Sequence, residues 1–219
     1  MDRRTFLKVS GMGVLALTLP GCAGTTRQSD QPNIVLINVD DLGWTDLSCQ
    51  GSAYFETPNI DRLAAQGIRF TDGYAACAVC SPTRASIMTG RYPSRVGITD
   101  WIRSDFQTED TATENPTEYV GGPDKQLLTP PNPFWMEHDE VTISEMLESE
   151  GYTSCHIGKW HLGYEGYYPT DQGFDVNIGG CDFGQPPIYF DPYCTDRQRC
   201  IPFSRTQGRG RVSHRSGSR

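Results

Sequence analysis

The chain reads as an α/β protein, a mostly parallel sheet flanked by helices. Three observations carry that reading. The stretch from Ile34 to Val39 is nearly all β-branched or apolar, the composition of a strand buried on both faces. Strand-like and helix-like runs then alternate along the body, the order of βαβ units. Gly 23 and Pro 15 in 219 residues indicate many turns rather than a helical bundle. A hydrophobic share of 37% is ordinary for a chain that buries a sizeable core.

The elements follow in order. The strand 34–39 runs into Asp40-Asp41 and then Gly43. Two adjacent carboxylates at the carboxyl end of a buried strand lie where open α/β sheets place their sites. Their hard oxygens suit Ca²⁺, or Mg²⁺, better than zinc. The plainer use of such a pair is a helix N-cap beside a solvent-facing acid. "TPNIDRLAAQG" predicts a helix, with Thr57 at the cap, Pro58 in the first turn and Gly67 at the end. "IRFTDGYA", residues 68–75, reads as the next strand. Ser81-Pro82 starts a helix that runs to about Thr89, where Gly90 closes it.

Residues 101–139 are polar and rich in Pro and Gly, the pattern of a long surface excursion. Val141, Ile143, Met146 and Leu147 then give an apolar helical face, closed by Gly151. "YTSCHIG" returns as a strand, and Lys159 and His161 follow at its exit. Two residues apart, they share one side of an extended segment. A cation and an acid/base group aimed the same way suit an anionic ester and its leaving oxygen. A surface lysine beside a packed histidine is the bland alternative. From 163 to 202, aromatic, Gly and Pro residues predict loops and a short hairpin. No internal repeat is present.

The two ends stand apart from this body. Residues 1–22 have a basic head, an apolar run from Val9 to Leu19 and small residues near Cys22, a secretory signal. Arg3-Arg4 resembles the twin-arginine export signal, and Leu19-Pro20-Gly21-Cys22 resembles a lipobox that would anchor lipid on Cys22. The expected location is therefore outside the cytoplasm of a bacterium, periplasmic or as a membrane-anchored lipoprotein. Residues 23–31 form a polar tether. Residues 205–219 hold five Arg and no acid, whereas 22–204 hold 11 Lys+Arg against 26 Asp+Glu. A basic arm for nucleic acid or membrane is one reading of that tail. A shifted reading frame is preferred, because one base of displacement can turn Thr206–Arg219 into acidic text like the body. No nucleic-acid partner is expected.

Eight cysteines leave several uses open in an exported chain. Cys194 and Cys200 are placed for a local bridge. Cys77 and Cys80 form a CxxC, yet no second CxxC or His pair follows at zinc spacing. The stretch "CAVCSPTRASIMTGR" thus admits a metal or redox pair, a helix start with incidental cysteines, or a nucleophile station.

Three motifs taken together resemble one family. Cys80-Ser81-Pro82-Thr83-Arg84 with Met88-Thr89-Gly90-Arg91 is similar to the sulfatase signature Cys-x-Pro-Ser/Thr-Arg, three residues, Leu/Met-Thr-Gly-Arg. "PNIVLINVDDLGWTDLSCQG" resembles that family's metal-binding opening, and "GKWHLG" its Lys-x-His segment. The resemblance implies an alkaline-phosphatase-like fold, of which 32–204 would be the N-terminal part of the catalytic domain, and hydrolysis of sulfate monoesters. It implies that Cys80 is oxidised to formylglycine by a maturation enzyme that reads Pro82 and Thr83, with Cys77 a bystander. Asp40, Asp41 and residue 80 would ligate Ca²⁺, Arg84 would steady the formylglycine, Lys159 would touch the sulfate, and His161 would bond the formylglycine hydroxyl. Ser81 and Arg91 are left as structural or recognition positions. The family's second half supplies an Asp-Asn metal pair, another His and another Lys, none of which can be assigned here, so the chain reads as truncated. The implied substrate is a sulfated carbohydrate or aryl sulfate. A phosphonate or phosphodiester hydrolase of the same superfamily, or a non-catalytic fragment, are the alternatives.

Overall fold

The computed structural model describes residues 31–102, 114–124, 126–186, 188 and 190, together with the backbone of 203–205. The signal, Cys22, Cys194, Cys200 and the tail from 206 lie outside the described residues. Among the described residues no helix is long and apolar enough to cross a membrane. They fall into two compact units, one ending at Leu42 and one beginning at Gly43.

In the first unit, Ile34–Val39 forms no strand. Val35 and Ile37 are 81% and 75% exposed, against the expectation of burial on both faces. The physical reason is that β-branched residues favour extended backbone but cannot bury themselves. Burial needs a ladder partner and a covering layer, and the only described sheet is built from other segments. The expected strand at 68–75 fails in the same way, with Ile68, Phe70 and Tyr74 all exposed and the backbone irregular.

The second unit follows the expected order more closely. A 3₁₀ turn, Ser48–Gln50, leads to α1, Pro58–Gln66. Thr57 stands at the α1 N-cap, and Pro58 occupies the first turn, where its missing N–H costs nothing. The Thr57 hydroxyl donates to Asp61 (2.9 Å), and the same carboxylate accepts the Cys49 N–H (2.9 Å), tying the turn to the helix. Helix α2, Cys80–Thr89, stops at Gly90, whose left-handed φ of 68° suits a residue without Cβ. One further turn, α3, spans Pro93–Val96.

Helix α4, Ile143–Glu148, opens with a capping box. The Thr142 hydroxyl accepts the Glu145 N–H, and the Glu145 carboxylate accepts the Thr142 N–H. Its end is a Schellman motif at Gly151: Tyr152 N–H reaches the Leu147 carbonyl (3.1 Å) and Gly151 N–H the Glu148 carbonyl (2.9 Å). The predicted apolar face is only partly used. Val141 and Met146 lie exposed, while Thr142 and Ser144 are buried.

Strand β1, Cys155–Ile157, pairs in parallel with β2, Val176–Ile178, which pairs antiparallel with β3, Phe203–Arg205. His156 is the residue of β1 that turns inward. β2 and a 3₁₀ turn at Pro169–Gln172 occupy the stretch expected to be loops and a hairpin. A three-residue strand flanked by Gly and Pro carries too little periodicity to be read from sequence.

The core joins α2 to the segment after β1: Ala85, Ile98, Ile102, Met136, Trp160, Leu162 and Phe174. Ile102, Trp135 and Met136 belong to the expected surface excursion 101–139, so both of its ends plunge into the core. Met136 N–H donates to the Leu162 carbonyl (2.8 Å), and the buried Gln172 amide donates to the Met136 carbonyl (2.9 Å). Backbone groups of a nominal loop are thus satisfied inside the protein, which is what permits a loop to be buried.

Candidate active site

Cys80 is the first residue of α2 and is half-buried. The N-cap position is held by Val79, which has no side-chain oxygen to offer the first-turn N–H groups. That end of the helix carries the positive pole of its peptide dipoles. Arg84, four residues on, lies on the same face as Cys80 and adds a full positive charge. A nucleophile here faces a field that favours an anion.

Two contacts fasten α2 to the segment following β1. The Arg84 Nη1 donates to the Lys159 carbonyl. The Ser81 hydroxyl, fully buried, donates to the His161 carbonyl at 2.9 Å. Residues 75 and 80 positions apart in the chain meet in this way. The Trp160 ring between them is buried in the core, its indole N–H donating to the Tyr167 carbonyl at 2.8 Å.

His161 is 2% exposed and has a left-handed φ of 60°. The segment is therefore not the continuous extended run that placed Lys159 and His161 on one side by spacing alone. Its imidazole Nε2 lies 2.6 Å from the Ile102 carbonyl, and its backbone N–H donates to the Cys181 carbonyl at 2.9 Å. Gly184 packs on the ring, where a Cβ would come within 2.9 Å of Cε1. The Trp101 ring lies tilted at 6.4 Å. Burial pushes the Cys181 thiol up to about 11, so it stays protonated at neutral pH.

Beneath Arg84, His156 is held neutral. Burial, then the nearby Arg84 charge, bring it down to about 4, with Asn177 opposing. Asn177 itself is fully buried and clasps Gly180 through both amide atoms, at 2.7 and 2.8 Å. A charged imidazole here would be desolvated and would face the Arg84 guanidinium, so the ring stays neutral and Arg84 carries the positive charge at this place.

Of the sequence-predicted residues, Cys80, Arg84, Lys159 and His161 belong to one packed arrangement of α2 and the β1 exit. Asp40 and Asp41 belong to the first unit and are described with it. There Asn38 donates to Asp40 (2.9 Å), and Asp41 takes a left-handed φ of 57°. Two hard carboxylates suit Ca²⁺ chemically, but that ion takes about six to eight oxygens. Among the described residues no group of three possible ligands gathers, so these residues do not by themselves complete such a site. The CxxC gains no ligand set either. Cys77 and Cys80 are both free thiols, and Cys77 uses its carbonyl, which accepts the Thr83 hydroxyl at 2.7 Å. Arg91 pairs with Glu140 and donates to the Arg95 carbonyl (3.2 Å), a structural role.

Sequence reasoning missed Ile102 and Gly184, which carry no chemical signature. It assigned Ser81 no specific contact, because nothing in a serine's neighbours tells which distant carbonyl it will meet.

The sulfatase family model matches residues 32–198. The N-acetylgalactosamine-6-sulfatase of Mus musculus is 36% identical over 93% of this chain and 33% of its own length. Arylsulfatase G of Canis lupus familiaris is 35% identical over 87% of this chain and 30% of its own. The solved PsFucS1 sulfatase from Pseudoalteromonas sp. has a TM-score of 0.53 and 32% identity, covering 83% of this chain and 30% of that one. The chain thus spans about a third of the length of the curated relatives it matches. Its α/β fold is that of these enzymes, and the chain belongs to the sulfatase family.

Proposed function

We propose that the protein to which this chain contributes hydrolyses sulfate monoesters, with Cys80, converted to formylglycine, as the nucleophile station. The observation that supports the reading most strongly is the clasp of α2 on the β1 exit. Arg84 and Ser81 reach the backbone carbonyls of Lys159 and His161, so the helix that begins at Cys80 is fastened to the Lys-x-His segment. In this reading Arg84 steadies residue 80, Lys159 binds the sulfate and His161 handles a proton at the residue-80 hydroxyl. A sulfate ester repels nucleophiles, and the helix end with Arg84 and Lys159 offsets that repulsion.

Asp40 and Asp41 would contribute to a divalent cation site, Ca²⁺ in preference to Mg²⁺. Such an ion supplies charge stabilisation for the ester oxygens. The remaining ligands would come from beyond the described residues. The relatives named N-acetylgalactosamine-6-sulfatase carry a sulfated sugar in their name, and we carry over that class, sulfated carbohydrate, with simple aryl sulfates as surrogate substrates. A maturation enzyme that forms formylglycine, export by the twin-arginine signal and a lipid on Cys22 complete the proposal.

The test pairs mass spectrometry of residue 80 with turnover of an aryl sulfate and an aryl phosphodiester. Formylglycine at position 80 and a preference for the sulfate are expected. Cys80→Ala should abolish turnover, whereas Cys77→Ser should leave the modification intact. Retained activity in Cys80→Ala would sink the assignment. A preference for the phosphodiester would move the reading to the phosphorus ester hydrolases, and an unmodified thiol in soluble, folded protein would favour a non-catalytic fragment.

A further inference from the structure

Three buried residues from three segments close a ring of hydrogen bonds beside Cys80. Ser81 Oγ lies 2.9 Å from the His161 carbonyl, Ile102 N lies 3.0 Å from Ser81 Oγ, and His161 Nε2 lies 2.6 Å from the Ile102 carbonyl. Each residue is at most 2% exposed. The direction of every bond follows from the atoms. Ile102 N–H can only donate, so Ser81 accepts it and must send its own hydrogen to the His161 carbonyl. The Ile102 carbonyl can only accept, so the imidazole proton sits on Nε2.

We propose that Ser81 is a positioning residue, whose hydroxyl closes this buried ring with Ile102 and thereby holds the His161 imidazole in one orientation with its proton on Nε2. The proposal rests on the reading of His161 as part of the reacting site, and it deepens that reading. A neutral imidazole donating through Nε2 has Nδ1 as its accepting nitrogen, which is the form required to take a proton. Gly184 allows the close approach that seats the ring, since a Cβ there would come within 3.3 Å of Nε2. Chains of bonds of this kind strengthen one another in a low-dielectric interior, so loosening one link loosens all three.

The experiment is nitrogen-15 NMR of the histidine rings in the full chain, which has only four histidines. His161 is expected to show a solvent-protected Nε2–H. Ser81→Ala should speed its exchange about tenfold, the loss of roughly one hydrogen bond, while His156 keeps its wild-type resonances as a check on the fold. Ser81→Thr, which keeps the hydroxyl, should retain protection. A proton found on Nδ1 in the wild-type chain overturns the proposal, even if neither variant folds. So does a folded Ser81→Ala chain with His161 protection unchanged, or a folded Ser81→Thr chain that loses protection as Ser81→Ala does. In a preparation that turns over a sulfate ester, Ser81→Ala should lower kcat on the order of tenfold to a hundredfold with KM little changed. Absence of all turnover in the wild type would count against the sulfatase reading and leave the ring measurement intact.

Discussion

His156 sits on the inner side of β1 between the Trp160 and Phe174 rings, both edge-on at 5.2 and 5.4 Å. Burial and the Arg84 charge bring it from 6.5 to about 4. Between those values the unfolded chain binds more protons than the folded one, so stability falls as pH drops through that window. From pH 7 to pH 5 the loss attributable to this ring is about 2 kcal/mol. Urea unfolding at the two pH values measures it, and His156→Gln should shrink the difference. An equal difference in both proteins would show that the imidazole is not responsible. The position tolerates no easy filling on its other side, because a Cβ on Gly180 would approach its Nδ1 to 2.9 Å and Asn177 Oδ1 to 2.5 Å.

Helix α4 has six residues, too few to hold together on helix propensity. Its ends therefore matter more than its faces. Thr142 is 1% exposed and has two tasks: its oxygen accepts the Glu145 N–H, and its hydrogen goes to the Gln172 carbonyl at 2.8 Å. Thr142→Ala removes the cap and leaves a buried carbonyl without its donor. The expected cost is about 2 kcal/mol, read as a lower urea midpoint, with Thr142→Ser close to wild type. Equal midpoints for Ala and Ser would mean that the methyl group, not the hydroxyl, holds this end. Helix α1 shows the same economy of ends in its Thr57–Asp61 contact. There burial raises the Asp61 carboxyl but is outweighed by hydrogen bonds from Thr57, Cys49 and Ser48, so it ionises below its ordinary range.

At the scale of the whole molecule, the chain leaves a large apolar surface in water. Ile34, Val35, Leu36, Ile37 and Val39 are each more than half exposed. On the sheet, Ile157 is 72% exposed. An unpaired, β-branched segment of this kind is a template for strand pairing with another chain. The full chain is expected to bind a hydrophobic dye strongly and to aggregate with concentration, and Val35→Lys with Ile37→Lys should reduce both. Weak dye binding by the wild-type chain would show that these residues are covered in solution.

Local chemistry made much of this protein legible before any coordinates. Pro58 and Gly67 bound α1, Gly90 ends α2, and Gly151 closes α4, because backbone restrictions act within a few residues. The Cys-x-Pro-Thr-Arg and Lys-x-His motifs named the family correctly, since their residue types and spacing survive in one dimension. Burial was not legible in the same way. The most apolar run in the body, at 34–39, is exposed, while Ile102 and Met136, in a polar stretch, are core. Apolar composition states a preference for leaving water, but whether a segment does so depends on what the rest of the chain lays over it. The sequence by itself determined the helix ends and the family, and it named the candidate residues of the site. Only the tertiary structure decided that Ser81, Ile102 and His161 meet, because a hydrogen bond between residues 80 positions apart is set by packing and leaves no trace in local pattern.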